Sequence, residues 1–300
     1  MRPVRVVGAP TDFGTHRRGV DMGPSAIRYA GLSAAVEGTG RNCVDAGDLA
    51  VPRAEERDPD AGDPNAKYLA EIETVCRSLA DRVAAAAAEG ALPLVLGGDH
   101  SVAIGSIAGS ARDPDADVGV LWFDAHGDIN TPATTPSGNV HGMPLAATLG
   151  LGAFADADWT AAPAVDPANV ALVGLRSLDE GERRHVEDLP VAAYTMSDVD
   201  ERGIAPVVAD ALDAATDGAD GLHVSFDLDW LDPADAPGVG TPVRGGVTYR
   251  EAHSAMELVA SRASLRSLDL VEVNPILDRR NETAELAVEM AASALGKRIL

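Results

Sequence analysis

Short apolar runs alternate along this chain with longer stretches of helical periodicity. We predict six strands, at residues 4–8, 92–96, 118–123, 169–174, 222–226 and 267–273. Helices are predicted between them, the clearest at 67–89 and 282–295, each followed by a glycine that can end a helix. Strands that are apolar throughout and separated by helices are typical of a parallel sheet covered on both faces. The pattern predicts an α/β fold, and we expect residues 1–300 to form one domain.

The composition narrows the class of protein. Apolar residues make up 46% of the 300, enough for a large core, and no apolar run approaches the roughly 18 to 20 residues of a membrane span. The amino terminus predicts a strand rather than a signal peptide, and two distant cysteines, Cys43 and Cys76, predict no disulfide framework. We therefore expect a reduced, cytoplasmic protein with no membrane partner. The acidic, proline-containing segments 45–65 and 152–169 are predicted as surface loops.

The net charge of −23 argues against a nucleic-acid partner, because a phosphate backbone needs Lys and Arg to neutralise it. The 24 basic residues include only two lysines, Lys67 and Lys297, and 31 aspartates outnumber 16 glutamates. Such a surface repels itself in dilute buffer, whereas molar salt shortens the Debye length to about 3 Å and screens the repulsion. We expect a halophilic protein adapted to high intracellular salt, and an ordinary acidic protein is the alternative.

Carboxylate and imidazole side chains lie at the ends of four of the predicted strands, three times just after the strand and once, at Glu272, near its last residue. In chain order they are His100, Asp124, His126, Asp128, Asp227, Asp229 and Glu272. The carboxyl ends of parallel strands meet at one edge of a sheet, which is where such folds bind ligands. Side chains at i, i+2 and i+4 of an extended segment share a face, so Asp124, His126 and Asp128 are expected to converge.

Four carboxylates and two imidazoles at one edge of a sheet predict a metal centre. Buried acids without a partner repel one another and raise each other's pKa values, and a bound cation offsets that repulsion. Six Asp and His ligands without a thiolate favour two Mn²⁺ or similar ions over structural zinc. Two such ions make hydroxide available near neutral pH, which predicts a hydrolase but leaves its substrate open. Alone, His100 could be a core or helix-capping histidine, and Asp227 with Asp229 an acidic turn.

Three motifs, GGDHS at 97–101, DAHGD at 124–128 and SFDLDWLDPADAPGVGTP at 225–242, resemble the ureohydrolase family of arginases and agmatinases. The resemblance extends from residues 19–24 to 271–275. It implies a three-layer α-β-α fold with a mainly parallel eight-stranded sheet, two Mn²⁺ per subunit, and a homotrimer or homohexamer. It also implies the ligand sets: His100, Asp124, Asp128 and Asp227 for one ion, and Asp124, His126, Asp227 and Asp229 for the other.

The segment at 128–142 resembles the arginase loop rather than the agmatinase loop, which implies L-arginine as substrate. By this resemblance the substrate-binding residues are Asn130, Ser137 and Asn139 for the α-carboxylate, Asp179 and Glu182 for the α-ammonium, and Thr241 along the pocket. Without the resemblance, residues 137–139 are a plain turn and 179–182 an acidic helix start.

The resemblance also implies the reaction, in which a metal-bridging hydroxide attacks the guanidinium carbon and yields L-ornithine and urea. Glu272 is expected to orient the guanidinium, Asp128 to carry a proton to the leaving amine, and His141 to shuttle protons to solvent. The alternatives are an agmatinase or other guanidino hydrolase, a silent arginine-binding member of the family, and a metal hydrolase of acetylated amines. Trp230 stands where arginases usually have Gly, and we expect it to narrow the pocket or to pack outward beneath a loop.

Overall fold

A computed structural model describes residues 1–59, 61–113, 116–161 and 164–299. Its centre is an eight-stranded sheet, ordered β2-β1-β3-β8-β7-β4-β5-β6, in which every strand pair is parallel. The strands are β1 (Val4–Ala9), β2 (Cys43–Asp48), β3 (Leu92–Gly97), β4 (Val118–Phe123), β5 (Val170–Leu175), β6 (Ala192–Thr195), β7 (Gly221–Asp227) and β8 (Leu265–Val271). The expected parallel α/β sheet is confirmed.

Helices cover both faces of this sheet and complete the three layers. They are α1 (Gly23–Tyr29), α2 (Leu32–Glu37), α3 (Leu69–Ala88), α4 (Val102–Ser110), α5 (Pro144–Thr148), α6 (Glu180–Asp188), α7 (Met196–Arg202), α8 (Ile204–Ala215), α9 (Tyr249–Arg262) and α10 (Glu282–Ala294). One core packs α1, α2 and α7 to α10 on the sheet, and α3 to α6 pack on its other face. In β3, Leu94 and Leu96 pack into the first core, and Val95 packs on the opposite face of the sheet. Because both faces are buried, the strand is apolar at every position instead of alternating between apolar and polar residues.

The two clearest predicted helices are confirmed as α3 and α10, and the glycines that follow them, Gly90 and Gly296, have φ of 75° and 105°. The list of six predicted strands was incomplete, because it lacked β2 and β6. The prediction that 45–65 is entirely loop was wrong, since Asp45 to Asp48 belong to β2. Both missed strands lie at the edges of the sheet and are largely exposed or only partly buried, so they carry no continuous apolar run.

The four central strands, β3, β8, β7 and β4, bring the predicted motifs to one edge of the sheet. The turn after β3 lies tightly against the end of β1, because a Cβ on Gly98 would lie 1.8 Å from the carbonyl oxygen of Thr11. Only glycine allows this approach, which sets the position of the next residues, Asp99 and His100. None of the described helices is long and apolar enough to cross a membrane.

Candidate metal centre and substrate cleft

His100 is the centre of a first group of potential ligands. Its Nδ1 atom lies 3.1 Å from Oδ2 of Asp124, 2.9 Å from Oδ2 of Asp128 and 3.1 Å from Oδ2 of Asp227. All four side chains are buried. His100 follows β3, Asp124 and Asp128 follow β4, and Asp227 ends β7, so three strands supply this group.

A second group shares Asp124 with the first. Nδ1 of His126 lies 3.4 Å from Oδ1 of Asp124 and 3.1 Å from Oδ2 of Asp229. Asp124 thus turns one carboxylate oxygen to each group, as a bridging ligand must. Asp227 contacts the first group, and its Oδ1 accepts a hydrogen bond from the backbone N–H of Asp229 at 2.7 Å, so its bridging role remains a prediction.

The donor set fits divalent cations bound by oxygen and nitrogen. Nδ1 of His100 is buried and has no hydrogen-bond partner among the described residues, although three carboxylates face it. Burial and the negative charges of Asp229 and Asp124 raise the pKa of Asp227 well above its ordinary value. Burial and the charge of Asp124 likewise raise the pKa of Asp128 to about 6. Cations bound between these groups would offset the repulsion among the buried carboxylates and give Nδ1 of His100 a partner.

Neighbouring side chains hold the ligands in place. The Trp122 indole stacks on the His100 ring, with centroids 4.3 Å apart, and its Nε1 donates to Oδ2 of Asp124 at 3.0 Å. Thr241 was predicted to line the pocket, and it does, but its hydroxyl also donates to Oδ2 of Asp229 at 2.8 Å. Such contacts fix the orientation of metal ligands. Sequence reasoning did not identify Trp122, because a tryptophan inside an apolar strand gives no functional signal.

Glu272 lies beside the first group, directly after β8. Its Oε1 accepts hydrogen bonds from the backbone N–H of His100 at 3.0 Å and from the His141 ring, whose Nδ1 is 3.1 Å away. Its Oε2 is buried and has no hydrogen-bond partner among the described residues. A buried carboxylate oxygen left in this state is suited to accept an N–H from a cationic ligand.

His141 lies at the cleft with its side chain 16% exposed. Burial alone would lower its pKa, but its hydrogen bond and charge attraction to Glu272 outweigh that effect and raise the pKa to about 9. The imidazole is therefore protonated at neutral pH. It links the buried carboxylate of Glu272 to the open side of the cleft, which is the geometry a proton shuttle requires.

Two of the predicted catalytic acids have a backbone conformation that is uncommon outside glycine. Asp128 has φ of 48° and Glu272 has φ of 64°. Asp128 is held by its N–H, which donates to Oε1 of Glu182 at 2.9 Å, and Glu272 by its N–H, which donates to the carbonyl of Gly98 at 2.9 Å. The strand geometry therefore does not persist through Asp128, although its side chain still joins the cluster.

The two residues predicted to bind the α-ammonium of the substrate, Asp179 and Glu182, lie at the start of α6. Oδ1 of Asp179 accepts from the backbone N–H of Glu182, and Oε2 of Glu182 accepts from that of Asp179, which is a capping box. Burial and the charge of Asp128 raise the pKa of Glu182 to about 7. Both acids line the cleft, so the helix cap also sets their positions there.

Of the three residues predicted to bind the α-carboxylate, Asn130 and Ser137 line the same cleft, and Asn139 is buried. Asn130 donates from Nδ2 to Oδ2 of Asp179 at 2.7 Å and accepts from the Thr134 hydroxyl at 2.8 Å. The Ser137 hydroxyl accepts from the backbone N–H of Asn139, 3.2 Å away. The Asn139 amide is within 3.1 Å of Nδ1 of His16, a residue that sequence reasoning missed because it lies far away in the chain.

Trp230 packs away from the cleft. Its ring centroid lies 4.6 Å from that of Phe123 and 5.6 Å from that of Phe226, and the side chain is fully buried. A Cβ on Gly174 would lie 2.0 Å from its Nε1, so a glycine opposite makes room for the indole. Of the two expectations, a narrowed pocket was wrong, and the side chain that points away from the pocket enters the core beside Phe123 and Phe226 rather than lying beneath a loop.

Comparisons with known proteins agree with this geometry. The model of the Arginase family matches residues 2–296. An arginase from Bacillus caldovelox is 47% identical over 301 residues, which cover 100% of both proteins. The solved native structure of the arginase from Bacillus caldovelox at pH 5.6 has a TM-score of 0.94 at 46% identity, with 100% of both chains covered. The arginase of Entamoeba histolytica in complex with L-ornithine has a TM-score of 0.89 at 32% identity, with coverage of 99% and 100%.

Proposed function

This chain belongs to the arginase family and hydrolyses arginine, and we propose that it converts L-arginine to L-ornithine and urea at a pair of manganese ions. One observation carries the proposal: the buried Oε2 of Glu272, which has no hydrogen-bond partner in the described part of the chain, lies next to two groups of metal ligands that share Asp124. A cationic guanidinium on Glu272 would thus be held beside the metal centre. An agmatinase is not favoured by the similarity to arginases over the full chain.

We assign His100, Asp124, Asp128 and Asp227 to one ion, and Asp124, His126, Asp227 and Asp229 to the other. The mixture of carboxylates and imidazoles without thiolate supports manganese. When bound, such an ion pair supplies a hydroxide nucleophile near neutral pH and Lewis acidity for the developing charge. The relief of carboxylate repulsion, described above for Asp227 and Asp128, supports tight binding.

At the guanidinium end of the cleft, Glu272 binds and orients the substrate. Its free Oε2 accepts a guanidinium N–H, while the bonds to His100 and His141 keep Oε1 in place. Asp128 is positioned to move a proton to the departing amine of ornithine. His141 restores that proton from solvent, since it is protonated at neutral pH and is partly exposed.

At the amino-acid end, the α6 cap and the 130–139 loop recognise the two charged groups of arginine. Asp179 and Glu182 bind the α-ammonium, and Asn130, Ser137 and Asn139 donate hydrogen bonds to the α-carboxylate. Agmatine has no carboxylate, so it would leave these donors unsatisfied, which supports discrimination against it.

Parallel assays with L-arginine and agmatine test this assignment. The protein loaded with Mn²⁺ is expected to release urea from arginine with kcat/KM on the order of 10² times that for agmatine, or more. Asn139→Ala is expected to reduce this ratio. The control Asn169→Ala leaves it unchanged, because the Asn169 side chain donates to the backbone carbonyls of Ala214 in α8 and Asp217 after it. Faster turnover of agmatine would contradict the reading of the 130–139 loop.

The proposal includes a cytoplasmic homotrimer or homohexamer adapted to high salt. The net charge of −23 and the scarcity of lysine support the salt adaptation, because screening lowers carboxylate repulsion. Thermal unfolding in 0 to 3 M KCl tests the salt adaptation, because this range includes the molar salt at which the Debye length is about 3 Å. Light scattering by the folded protein in the same buffers measures the number of subunits. A melting temperature that is already maximal without salt would contradict the adaptation, and a monomer would contradict the assembly.

A further inference from the structure

Buried polar side chains continue from the metal centre into the sheet. Ser225 on β7 pairs in register with Asp269 on β8, and both are fully buried. Nε2 of His100 lies 2.8 Å from Oγ of Ser225, and that hydroxyl donates to Oδ1 of Asp269 at 2.7 Å. A continuous path of hydrogen bonds therefore connects Asp269, which is no ligand in the proposed centre, to a metal ligand.

Asp269 can only accept hydrogen bonds in this position. Its Oδ2 accepts from the hydroxyl of Ser106 at 2.6 Å and lies 3.0 Å from Nε2 of His223. Burial alone would raise the pKa of Asp269, but the charge and the hydrogen bond of His223 lower it below the ordinary value. The group is a carboxylate, which has no proton to give to Ser225.

The direction of each hydrogen bond follows from this. The one proton of the Ser225 hydroxyl goes to Asp269, so Oγ of Ser225 accepts the proton on Nε2 of His100. In the neutral imidazole that binds a metal, which carries a single proton, this places the proton on Nε2 and leaves Nδ1 with its lone pair. That lone pair faces the three carboxylates of the first ligand group. A metal-binding histidine needs such a bare nitrogen, with the other N–H held by an acceptor.

We propose that Asp269 is a positioning residue which, through Ser225, holds His100 in the tautomer that binds metal. The inference rests on the proposed metal centre and extends it to residues outside the ligand set. In Asp269→Asn, an amide directed at Ser225 would donate to its oxygen, reverse the hydroxyl and place a proton on Nδ1 of His100. The opposite amide orientation would direct N–H at Ser106 and His223, so both of these groups would have to accept a hydrogen bond instead of donating one.

Two serines provide a matched pair of variants. Ser225 and Ser106 are both buried, and each donates one hydrogen bond to Asp269, at 2.7 and 2.6 Å. Only Ser225 contacts His100. Ser225→Ala and Ser106→Ala should therefore both lower the melting temperature of the metal-free protein, while only Ser225→Ala disturbs the histidine.

Calorimetric titration of the full-length, metal-free protein with Mn²⁺ tests the inference, with bound ions counted by metal analysis. We expect two ions in the wild type and in Ser106→Ala with affinities within about twofold, and one of the two weakened roughly 10- to 100-fold in Ser225→Ala and Asp269→Asn. If Asp269→Asn does not fold, the comparison of Mn²⁺ affinity between Ser225→Ala and Ser106→Ala still tests the inference. Equal Mn²⁺ binding by both serine variants overturns the role of Asp269, whereas a wild type that fails to bind two ions overturns the metal centre and the inference together.

Discussion

Asp179 and Glu182 each accept the backbone N–H of the other, at 2.9 and 3.0 Å, and both carboxylates face the cleft. The start of α6 is thus stabilised by the same two acids that are proposed to bind the α-ammonium. The residues alone predict an acidic start of a helix, and the family resemblance implies a role in substrate binding. Both expectations concern the same two side chains in the same positions. Substitution can separate the two roles, because capping needs an oxygen and ammonium binding needs a charge.

Asp179→Asn keeps a capping oxygen but removes the charge. We expect its stability to fall by about 1–2 kcal/mol, because Asn caps as well as Asp but its amide nitrogen would face the Nδ2 donor of Asn130. Loss of a charged hydrogen bond of roughly 1.5–3 kcal/mol should raise KM for arginine about 10- to 100-fold. Thr248→Ala is the control, because it removes the capping box of α9 and should lower stability by about 1 kcal/mol without changing KM. An unchanged KM in Asp179→Asn would remove this residue from the binding site.

Glu272→Gln should lower activity without loss of metal. The glutamine oxygen can still accept from His100 and His141, while its amide nitrogen replaces the free Oε2 and repels the guanidinium. We expect kcat/KM to fall about 10- to 100-fold, from loss of roughly 1.5–3 kcal/mol, with two Mn²⁺ still bound. Glu289→Gln, at a partly exposed position on α10, serves as the control. Wild-type kcat/KM in Glu272→Gln would show that the substrate binds elsewhere.

The raised pKa of His141, about 9, predicts the alkaline side of the pH profile. Protonated His141 is the proton source, so kcat should fall as the pH rises through about 9. The same shift stabilises the fold below the ordinary histidine pKa of about 6.5 and loses that contribution as the pH rises through about 9.

His141→Asn should remove the decline above pH 9 and lower kcat, toward the lower end of the roughly 10²- to 10⁴-fold range for a general acid or base. Initial rates between pH 6 and 10.5, bracketing the pKa of about 9, measure both effects. His253→Asn, on α9, is the control because its ring bonds to Ser293 and Glu289 and not to the cleft. A variant that retains the alkaline decline would assign it to another group.

Trp230→Gly should destabilise the protein but leave the metal centre intact. The indole fills the core between Phe123 and Phe226, so its loss should cost at least the roughly 3–5 kcal/mol typical of Trp→Ala. Trp122→Phe makes the contrast, since Trp122 donates to Asp124 and its loss should weaken metal binding. Chemical unfolding and metal analysis measure the two effects. Loss of a metal ion from folded Trp230→Gly would show that the indole supports the ligands.

The ligand side chains could be predicted because the chain reveals where its central strands end. Strands buried on both faces are continuous apolar runs, and the polar residues after them must share one edge of a parallel sheet. The edge strands β2 and β6 lack this pattern, and β2 even contains Asp45 and Asp48. Their existence follows from pairing with β1 and β5, which no local pattern encodes.

The finer geometry of the site depends on contacts between distant residues. The backbone N–H of Asp128, whose φ is positive, donates to the Glu182 carboxylate, which is 54 positions away in the chain. The pairing of Ser225 with Asp269 depends on the register of β7 and β8, and the space for Trp230 depends on Gly174 of β5. Residue spacing could not provide these relationships, because each is set by how strands and helices pack.

Urea release measured as a function of bound Mn²⁺ tests the central claim most directly. Metal-free protein is titrated with Mn²⁺ in high salt, and L-arginine turnover is recorded with the number of ions per chain. We predict that activity rises with metal content and is maximal at two ions per chain, as two ligand groups sharing Asp124 require. Full turnover with one ion or none, or no urea from arginine with two ions bound, would contradict the account.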